Sequence, residues 1–464
     1  MLNVFDKSHS IAPLGYSRWL VPPAALAIHL CIGEAYGFSV FTKPLTQSIG
    51  ITAPAPGDWS VAAVGWIFSL AIVFLGLSAA VFGKWVEEQG PRKAMFAAAC
   101  LFGLGFLVAA LGAQVHQLWL IYFGYGVIGG CGLGIGYISP VSTLIKWFPD
   151  RPGLATGTAI MGFGGGALIG GPLAVVLMKY FSTSASTGVP PTFLTMGIVY
   201  FCFMLVGVFL VRLPAPGWTP AGYVPPAEGA RKLVTTRNVL VGDAIKTPQF
   251  YLLWIVLCFN VTAGIGVLGQ ASLMIQEMFP AHFPHITDAQ IKWSAAAAAG
   301  FVSLLSIFNM LGRIFWASSS DYLGRKNTYF IFFALGIVLY ALVPTFGRSG
   351  NLGLFVAGFC IILTMYGGGF ATIPAYLRDI FGTVHVGAIH GRLLTAWSAA
   401  GILGPVLINY IRQYQIDHGV AKADAYSVTM YVMAVLLLIG LVCNALMRPV
   451  DERYHAPAAE PAAA

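Results

Sequence analysis

Twelve apolar runs, each near or above the roughly 20 residues that cross the hydrocarbon of a bilayer, leave this chain almost nothing from which to build a water-facing surface. They lie near 19–43, 60–83, 94–114, 117–147, 153–180 and 192–212, and then near 248–278, 293–317, 328–346, 351–378, 384–412 and 424–447. Several exceed what a bilayer requires, so tilted helices are expected. Only 9% of the residues are charged and 58% are hydrophobic, whereas a soluble globule has about a quarter of its residues charged. The 55 glycines suit helices that approach closely in lipid. The expected fold class is an all-α integral membrane protein of twelve transmembrane helices, with the lipid bilayer as its first partner.

The net charge of +8 is explained by where the cations fall. With a cytoplasmic N-terminus, that side collects Lys7, Arg18, Lys84, Arg92, Lys93, Lys146, Arg151, Arg212, Arg231, Lys232, Arg237, Lys246, Arg325, Lys326, Arg378, Arg448 and Arg453. The other side keeps Lys43, Lys179, Lys292, Arg348, Arg412 and Lys422. Seventeen against six predicts both termini in the cytoplasm of a cell whose inner (plasma) membrane holds the protein, and no nucleic-acid partner is needed to explain the charge. The polar N-terminus, Met1 to Arg18, lacks the apolar core and cleavage site of a signal peptide, so the first span is expected to stay. Around 213–247, Pro214, Pro216, Pro220, Pro225 and Pro226 precede Arg231, Lys232 and Arg237, the composition of a linker. The expected organisation is a six-helix bundle over 1–212, a cytoplasmic linker over 213–247, a second bundle over 248–447 and a tail over 448–464.

The two halves fall into register at an offset of 234 residues: Glu87 meets Asp321, Gly90 meets Gly324, Pro140 meets Pro374, Gly153 meets Gly387 and Gly157 meets Gly391. Two parallel six-helix halves form a frame that can rock about a cavity at the membrane midplane. The loop after the second run reads Gly83-Lys-Trp-Val-Glu87-Glu-Gln-Gly90-Pro-Arg92-Lys93, and its echo after the eighth reads Asp321-Tyr-Leu-Gly324-Arg325-Lys326. These loops resemble the major facilitator superfamily, whose motif is G-x-x-x-D-R-x-G-R-R/K, although Glu88 stands where the first arginine is usual and Ala317 where the second copy's leading glycine would be. An acid at one helix end facing cations and another helix's N-terminus makes a breakable clasp, here expected from Gly83, Glu87, Arg92, Asp321 and Arg325. The resemblance implies two pseudo-symmetric bundles, alternating access and a monomer.

The stretch from Tyr137-Ile-Ser-Pro140 through Lys146-Trp147-Phe148-Pro149-Asp150-Arg151 to Gly157 is similar to the oxalate/formate antiporter group of that superfamily. So are Thr247-Pro-Gln-Phe-Tyr251-Leu-Leu-Trp254 and Gly391-Arg392-Leu-Leu-Thr-Ala-Trp397. That group in turn resembles monocarboxylate–proton symporters. The resemblance implies a small carboxylate substrate and either a proton or a counter-anion as the coupling partner.

Ionisable residues inside a span are expensive and call for a reason. Arg313 stands eight residues before Asp321, about 12 Å along a helix, and its planar donor fork suits a carboxylate; the resemblance implies the same role. Glu34, among apolar neighbours, suits a group that loads and releases a proton, and an anion neutralising a nearby Arg313 would favour loading. A permanent Glu34–Arg313 ion pair is the competing reading. His29 is expected to be a packing residue, and His385 and His390 to lie at the cytoplasmic interface. The group's oxalate exchanger has a second cation, a lysine, in its eleventh span; here Trp397 occupies that stretch, and one arginine alone favours a monoanion, or a monoanion with one proton. Tyr36 and Gln270, equivalent in the repeat, together with Tyr137 and Tyr366, are candidate carboxylate donors. Phe38, Trp316 and Trp397 are candidate dry walls.

The glycines of the fourth span (Gly126, Gly130, Gly134) and the fifth (Gly162 to Gly171) fit close helix crossings. The Gly-Phe-Gly-Gly-Gly segment lacks the Lys-Ser/Thr of a phosphate loop. No His-x-x-x-His pair, nucleophile–base grouping or nucleotide loop is present, so an enzyme or primary pump is not expected, and no repeated polar ring points to a channel. The seven cysteines are scattered without a Cys-x-x-Cys pair and read as small apolar residues. Neither a metal site nor a cofactor is expected.

Overall fold

The computed structural model describes residues 2–13, 15–224, 233–279 and 288–456. Pro225, Pro226, Arg231 and Lys232 of the polar stretch, and the Lys292 side chain, lie outside them. Among the described residues, twelve helices are long and apolar enough to cross a membrane: Arg18–Leu45, Val61–Gln89, Pro91–Gln114, Leu118–Trp147, Pro152–Phe181 and Val189–Leu210, then Pro248–Leu268, Gly300–Leu323, Arg325–Arg348, Leu352–Phe381, Val386–Asp417 and Ser427–Ala445. They are numbered here as spans 1–12.

Local chemistry sets several boundaries. Ser60, Thr247 and Asn351 each cap a helix by accepting a hydrogen bond from the backbone N–H three residues on, which satisfies one of the free donors at a helix start. Gly90 and Gly324 adopt φ of 88° and 82°, and this left-handed turn lets spans 2 and 3, and spans 8 and 9, join with one residue between them. These two glycines are repeat mates, so the halves turn the same corner by the same means.

Three spans leave the α form. Span 1 tightens into a 3-10 helix over Gly33–Phe41, span 4 widens into a π helix over Tyr122–Gly129, and span 11 breaks at Leu394 between helices Val386–Leu393 and Thr395–Asp417. Such departures redirect side chains within an otherwise regular helix and are frequent at functional sites. The two halves meet chiefly through span 5 against span 8 and span 2 against span 11.

Glycine permits the closest of these crossings. A Cβ on Gly166 would stand 2.6 Å from both the Gly33 Cα and the Leu30 carbonyl oxygen of span 1, and backbone cannot yield as a side chain end can. Gly166→Ala is expected to destabilise the protein by ~1–3 kcal/mol, the usual range for overpacking, read as a lowered melting midpoint in detergent. An unchanged midpoint would mean that the crossing relaxes freely.

The polar stretch between the halves is partly anchored. Leu213 bonds to Ser10 and Ala12, and further on Thr235 and Val239 donate to the carbonyls of Asp379 and Phe381 at the end of span 10. Ala456 donates to the Asn238 carbonyl. The linker and the described segments at both chain ends therefore share one face, called the linker face below.

Candidate functional site

Arg313 is fully buried at mid-span. Its Nε donates to Asn309 Oδ1 one turn back (3.2 Å), and its Nη1 donates to the Ile160 carbonyl of span 5 (3.2 Å). Nη2 makes no hydrogen bond of standard geometry, although the Tyr36 and Tyr137 hydroxyls stand close to the guanidinium, and among the described residues no carboxylate pairs with it. Phe163 and Phe370 lie 5.8 and 5.4 Å from it, ring centroid to guanidinium carbon. An uncompensated charge held out of water costs several kcal/mol, so an anion entering here gains what the empty protein lacks.

The neighbouring polar atoms share this condition. The Tyr137 hydroxyl, the Trp397 Nε1–H and both ring nitrogens of His390 are buried without hydrogen-bond partners. Tyr137 joins them, its ring 5.3 Å from Trp397, 5.9 Å from His390 and 5.5 Å from Phe163. Trp397 packs at 4.3 Å on Phe370 and 5.3 Å from Phe163. Tyr36 and Tyr366 close the cluster on the side away from the linker face, hydroxyl to hydroxyl at 2.8 Å between span 1 and span 10. Guanidinium and indole only donate, while a hydroxyl and a neutral imidazole can each donate once. The complement of such a set is a small acceptor-rich anion, and a carboxylate fits that description.

Five predicted substrate residues thus come together: Arg313, Tyr36, Tyr137, Tyr366 and Trp397. Gln270 does not join them; its amide donates to Asn409 Oδ1 of span 11 (2.7 Å). Trp316 bonds to Thr364 within the second half, and Phe38 packs against Tyr125 within the first, so neither walls the cluster. His390 was expected at the interface but is 1% exposed. Spacing alone did not reveal it, because the break at Leu394 falls between His390 and Trp397. His385 is half-exposed at the start of span 11. His29 is buried with its ring nitrogens against the carbonyls of Ala159 and Tyr137, in keeping with packing.

Glu34 lies elsewhere than its predicted partner. It is 1% exposed inside the first bundle, where Oε2 accepts from the Tyr125 hydroxyl at 3.1 Å and Oε1 has no partner. The 3-10 turn of span 1 carries Glu34 and the π turn of span 4 carries Tyr125, so two irregular segments bring the pair together. Tyr200 completes the pocket with an unpartnered hydroxyl. Gly170 makes room for it, because a Cβ there would stand 2.7 Å from Glu34 Cγ and 2.9 Å from the Tyr200 oxygen. The described ion pairs do not include Glu34 with Arg313, so a permanent pair between them is absent from this conformation.

On the linker face two carboxylates cross from one half to the other. Asp321 of span 8 accepts from the N–H groups of Gly153 and Leu154 at the start of span 5 (2.9 and 3.0 Å) and pairs with Arg325 at 2.6 Å. Glu87 of span 2 accepts from the Gly387 N–H at the start of span 11 (2.9 Å). Both acids therefore sit at positively polarised helix starts, and the donor and acceptor of one contact are the repeat mates of those in the other. Close approach is possible at Gly83, where a Cβ would lie 3.0 Å from the Ala388 Cα.

Arg92 takes no part in this contact; it donates to the Val4 carbonyl instead. The position equivalent to Arg325 is Pro91, so the first copy lacks the arginine that flanks the second acid; instead the Lys146 ammonium attracts Glu87, and the His385 ring stands 3.7 Å from it. Arg325 also reaches Asp379 at 3.3 Å. Further bonds close this face, from Thr156 to the Ala371 carbonyl (2.6 Å) and from Arg378 to the Pro149 carbonyl (3.1 Å).

The oxalate:formate antiporter of Oxalobacter formigenes is 27% identical over 405 residues, 87% of each chain. Human monocarboxylate transporter 11 is 24% identical over 412 residues, covering 86% of this chain and 78% of the relative. The crystal structure of the Escherichia coli fucose:proton symporter superposes with a TM-score of 0.65 at 12% identity, over 93% of this chain and 99% of the other. The model of the Major Facilitator Superfamily matches residues 15–405 and 270–463. The chain belongs to the major facilitator superfamily, and it is a membrane-embedded secondary transporter rather than an enzyme.

Proposed function

We infer that this transporter carries a small organic monocarboxylate, bound by Arg313 at the seam between the two halves. The observation that supports this reading is a fully buried arginine with no described counter-charge and no hydrogen bond of standard geometry at Nη2, surrounded by further unpaired donors from spans 4 and 11. The guanidinium takes the carboxylate with its free N–H. The Tyr137 hydroxyl and the Trp397 indole take remaining lone pairs, while Phe163 and Phe370 exclude water. With Trp397 in place of a second cation, one negative charge balances the site, and a dianion would leave one charge uncompensated in an apolar surround. Two relatives named for oxalate, formate or monocarboxylate transport agree with this chemistry.

Both sides of the site come from one chain, so a monomer suffices. The linker face is assigned to the cytoplasm from the seventeen-to-six excess of cations. Glu34 is the proton site of a symport cycle, its neutral form matching an apolar pocket and its charged form held by Tyr125. Its separation from Arg313 makes the coupling indirect, through the movement of spans 1 and 4. Exchange is the second reading, and one observation favours it: with Glu34 turned toward Tyr125, nothing described neutralises Arg313 in the empty carrier, and an uncompensated charge resists crossing.

Uptake of labelled formate, lactate and oxalate into proteoliposomes, with and without an inward proton gradient or trapped counter-anion, tests the substrate and separates the two cycles. A monocarboxylate is expected to outcompete oxalate, and preference for oxalate would overturn the charge count. Glu34→Gln is expected to lower proton-driven uptake at least tenfold while leaving counterflow, which needs no net proton movement, within about twofold. Unchanged gradient-driven uptake in Glu34→Gln would remove the proton role.

A further inference from the structure

Outside the transport site, a cleft of about 910 Å³ opens on the linker face, within the range of small-molecule sites. Its walls come from three parts of the chain. Span 2 and span 4 of the first half contribute Lys84, Glu87 and Lys146, the second half contributes His385 and Arg392, and the linker contributes Trp218 and Tyr223.

Cations outweigh acids in this cleft, and the acids are already engaged. Glu87 is held by the Gly387 N–H and faces His385, while Glu88 pairs with Lys84 at 3.6 Å. Lys146 and Arg392 are both partly buried; neither forms a close ion pair among the described residues, although Lys146 is attracted at longer range by Glu87, whose one charge cannot balance both cations. Among the described residues the Arg392 guanidinium donates only to the Ala388 carbonyl of its own helix (3.3 Å), and most of its donor fork has no described partner. Lys146 belongs to the first half and Arg392 to the second, and they line the same cleft.

We propose that this cleft is a regulatory site for a small multivalent anion, a polycarboxylate or organic phosphate, which bridges Lys146 and Arg392 and holds the linker face closed. The physical reason is linkage. The two cations stand on opposite sides of the Glu87–Gly387 contact, so opening that contact separates them, and a ligand that needs both binds the closed state better. Such a ligand slows the cycle from the linker side without entering the transport site. The linker forms the third wall and is drawn in by the same ligand. A single-charged transport substrate balances only one of the two cations, so the two sites prefer different anions.

The test uses the full-length protein in detergent and in proteoliposomes, with pyrophosphate and citrate as probes at constant ionic strength, since screening weakens exposed pairs. The melting midpoint is expected to rise with either probe in a saturable way, as binding to the folded state requires, with chloride at equal ionic strength inactive. Lys146→Gln and Arg392→Gln are each expected to weaken that binding about tenfold, and Lys146→Arg to retain it, which separates loss of charge from loss of fold. Probe trapped on the linker side is expected to reduce counterflow severalfold in the wild type and not in Arg392→Gln. Equal stabilisation of the wild type and both glutamine variants would overturn the proposal, as would stabilisation seen only with vesicles containing an anionic phospholipid. The binding arm stands whether or not the transported substrate is a monocarboxylate.

Discussion

Arg313→Gln is expected to abolish carboxylate transport, with apparent affinity lowered by about 30-fold or more, and Arg313→Lys to weaken it by about tenfold or more. Removing one partner of a buried, hydrogen-bonded charge pair costs ~2–5 kcal/mol of binding, and each 1.4 kcal/mol is a factor of about ten. Lysine keeps the charge but loses the fork: Nε and Nη1 are already committed to Asn309 and Ile160, and only the arginine can hold those bonds while offering a further N–H. The glutamine variant is expected to fold at least as well as the wild type, since it relieves a buried charge with no described counter-ion. Binding by thermal shift and counterflow of labelled substrate measure both effects. Normal affinity in Arg313→Lys would show that the substrate meets a point charge rather than a planar donor.

Asp321→Ala is expected to produce the second large effect, on conformation rather than on binding. The wild-type carboxylate accepts two backbone N–H groups across the halves and pairs with Arg325. Hydrogen bonds to a charged group contribute ~1.5–3 kcal/mol each, so loss of this contact is expected to shift the equilibrium by ~3 kcal/mol, or more than a hundredfold, toward an open linker face. Glu87→Ala loses one such described backbone bond and is expected to shift it about tenfold. If both acids bias one two-state equilibrium, the double variant multiplies the two factors, because contacts far apart add in free energy. Spin labels at the exposed positions Lys84 and Thr383, in a background without native cysteines, would report the separation as a longer inter-label distance. An unchanged distance distribution in Asp321→Ala would mean that this contact does not hold the gate.

The two contacts also show how far the sequence could be followed. The offset of 234 residues paired Glu87 with Asp321 and Gly153 with Gly387 as isolated matches along the chain. Folded, each acid reaches the glycine N–H of the opposite half's pair, so these four residues make two copies of one contact. The exclusion of Arg92 was legible as well, in Pro91 at the position of Arg325. The motif as a string drew attention to the wrong cation.

The site divides in the same way. A lone arginine in an apolar run announces itself because its burial is costly, and aromatic donors at equivalent span positions follow from counting. His390 and Gln270 were misplaced because depth and facing depend on the break at Leu394 and on which neighbour an amide meets. Neither leaves a trace in hydropathy. Glu34 carries the same lesson: its burial was predictable, but the 3-10 and π turns that aim it at Tyr125 are departures from the period on which counting relies.

By itself the sequence determined that this chain spans a membrane twelve times, in two repeated halves, around a buried cation. Those facts rest on hydrophobicity and charge, which are additive along a chain. Only the tertiary structure decided which polar groups lack partners and which cations face one another across the seam. Hydrogen-bond satisfaction is a property of pairs distant in sequence, and helix irregularities of a single residue change which pairs can form.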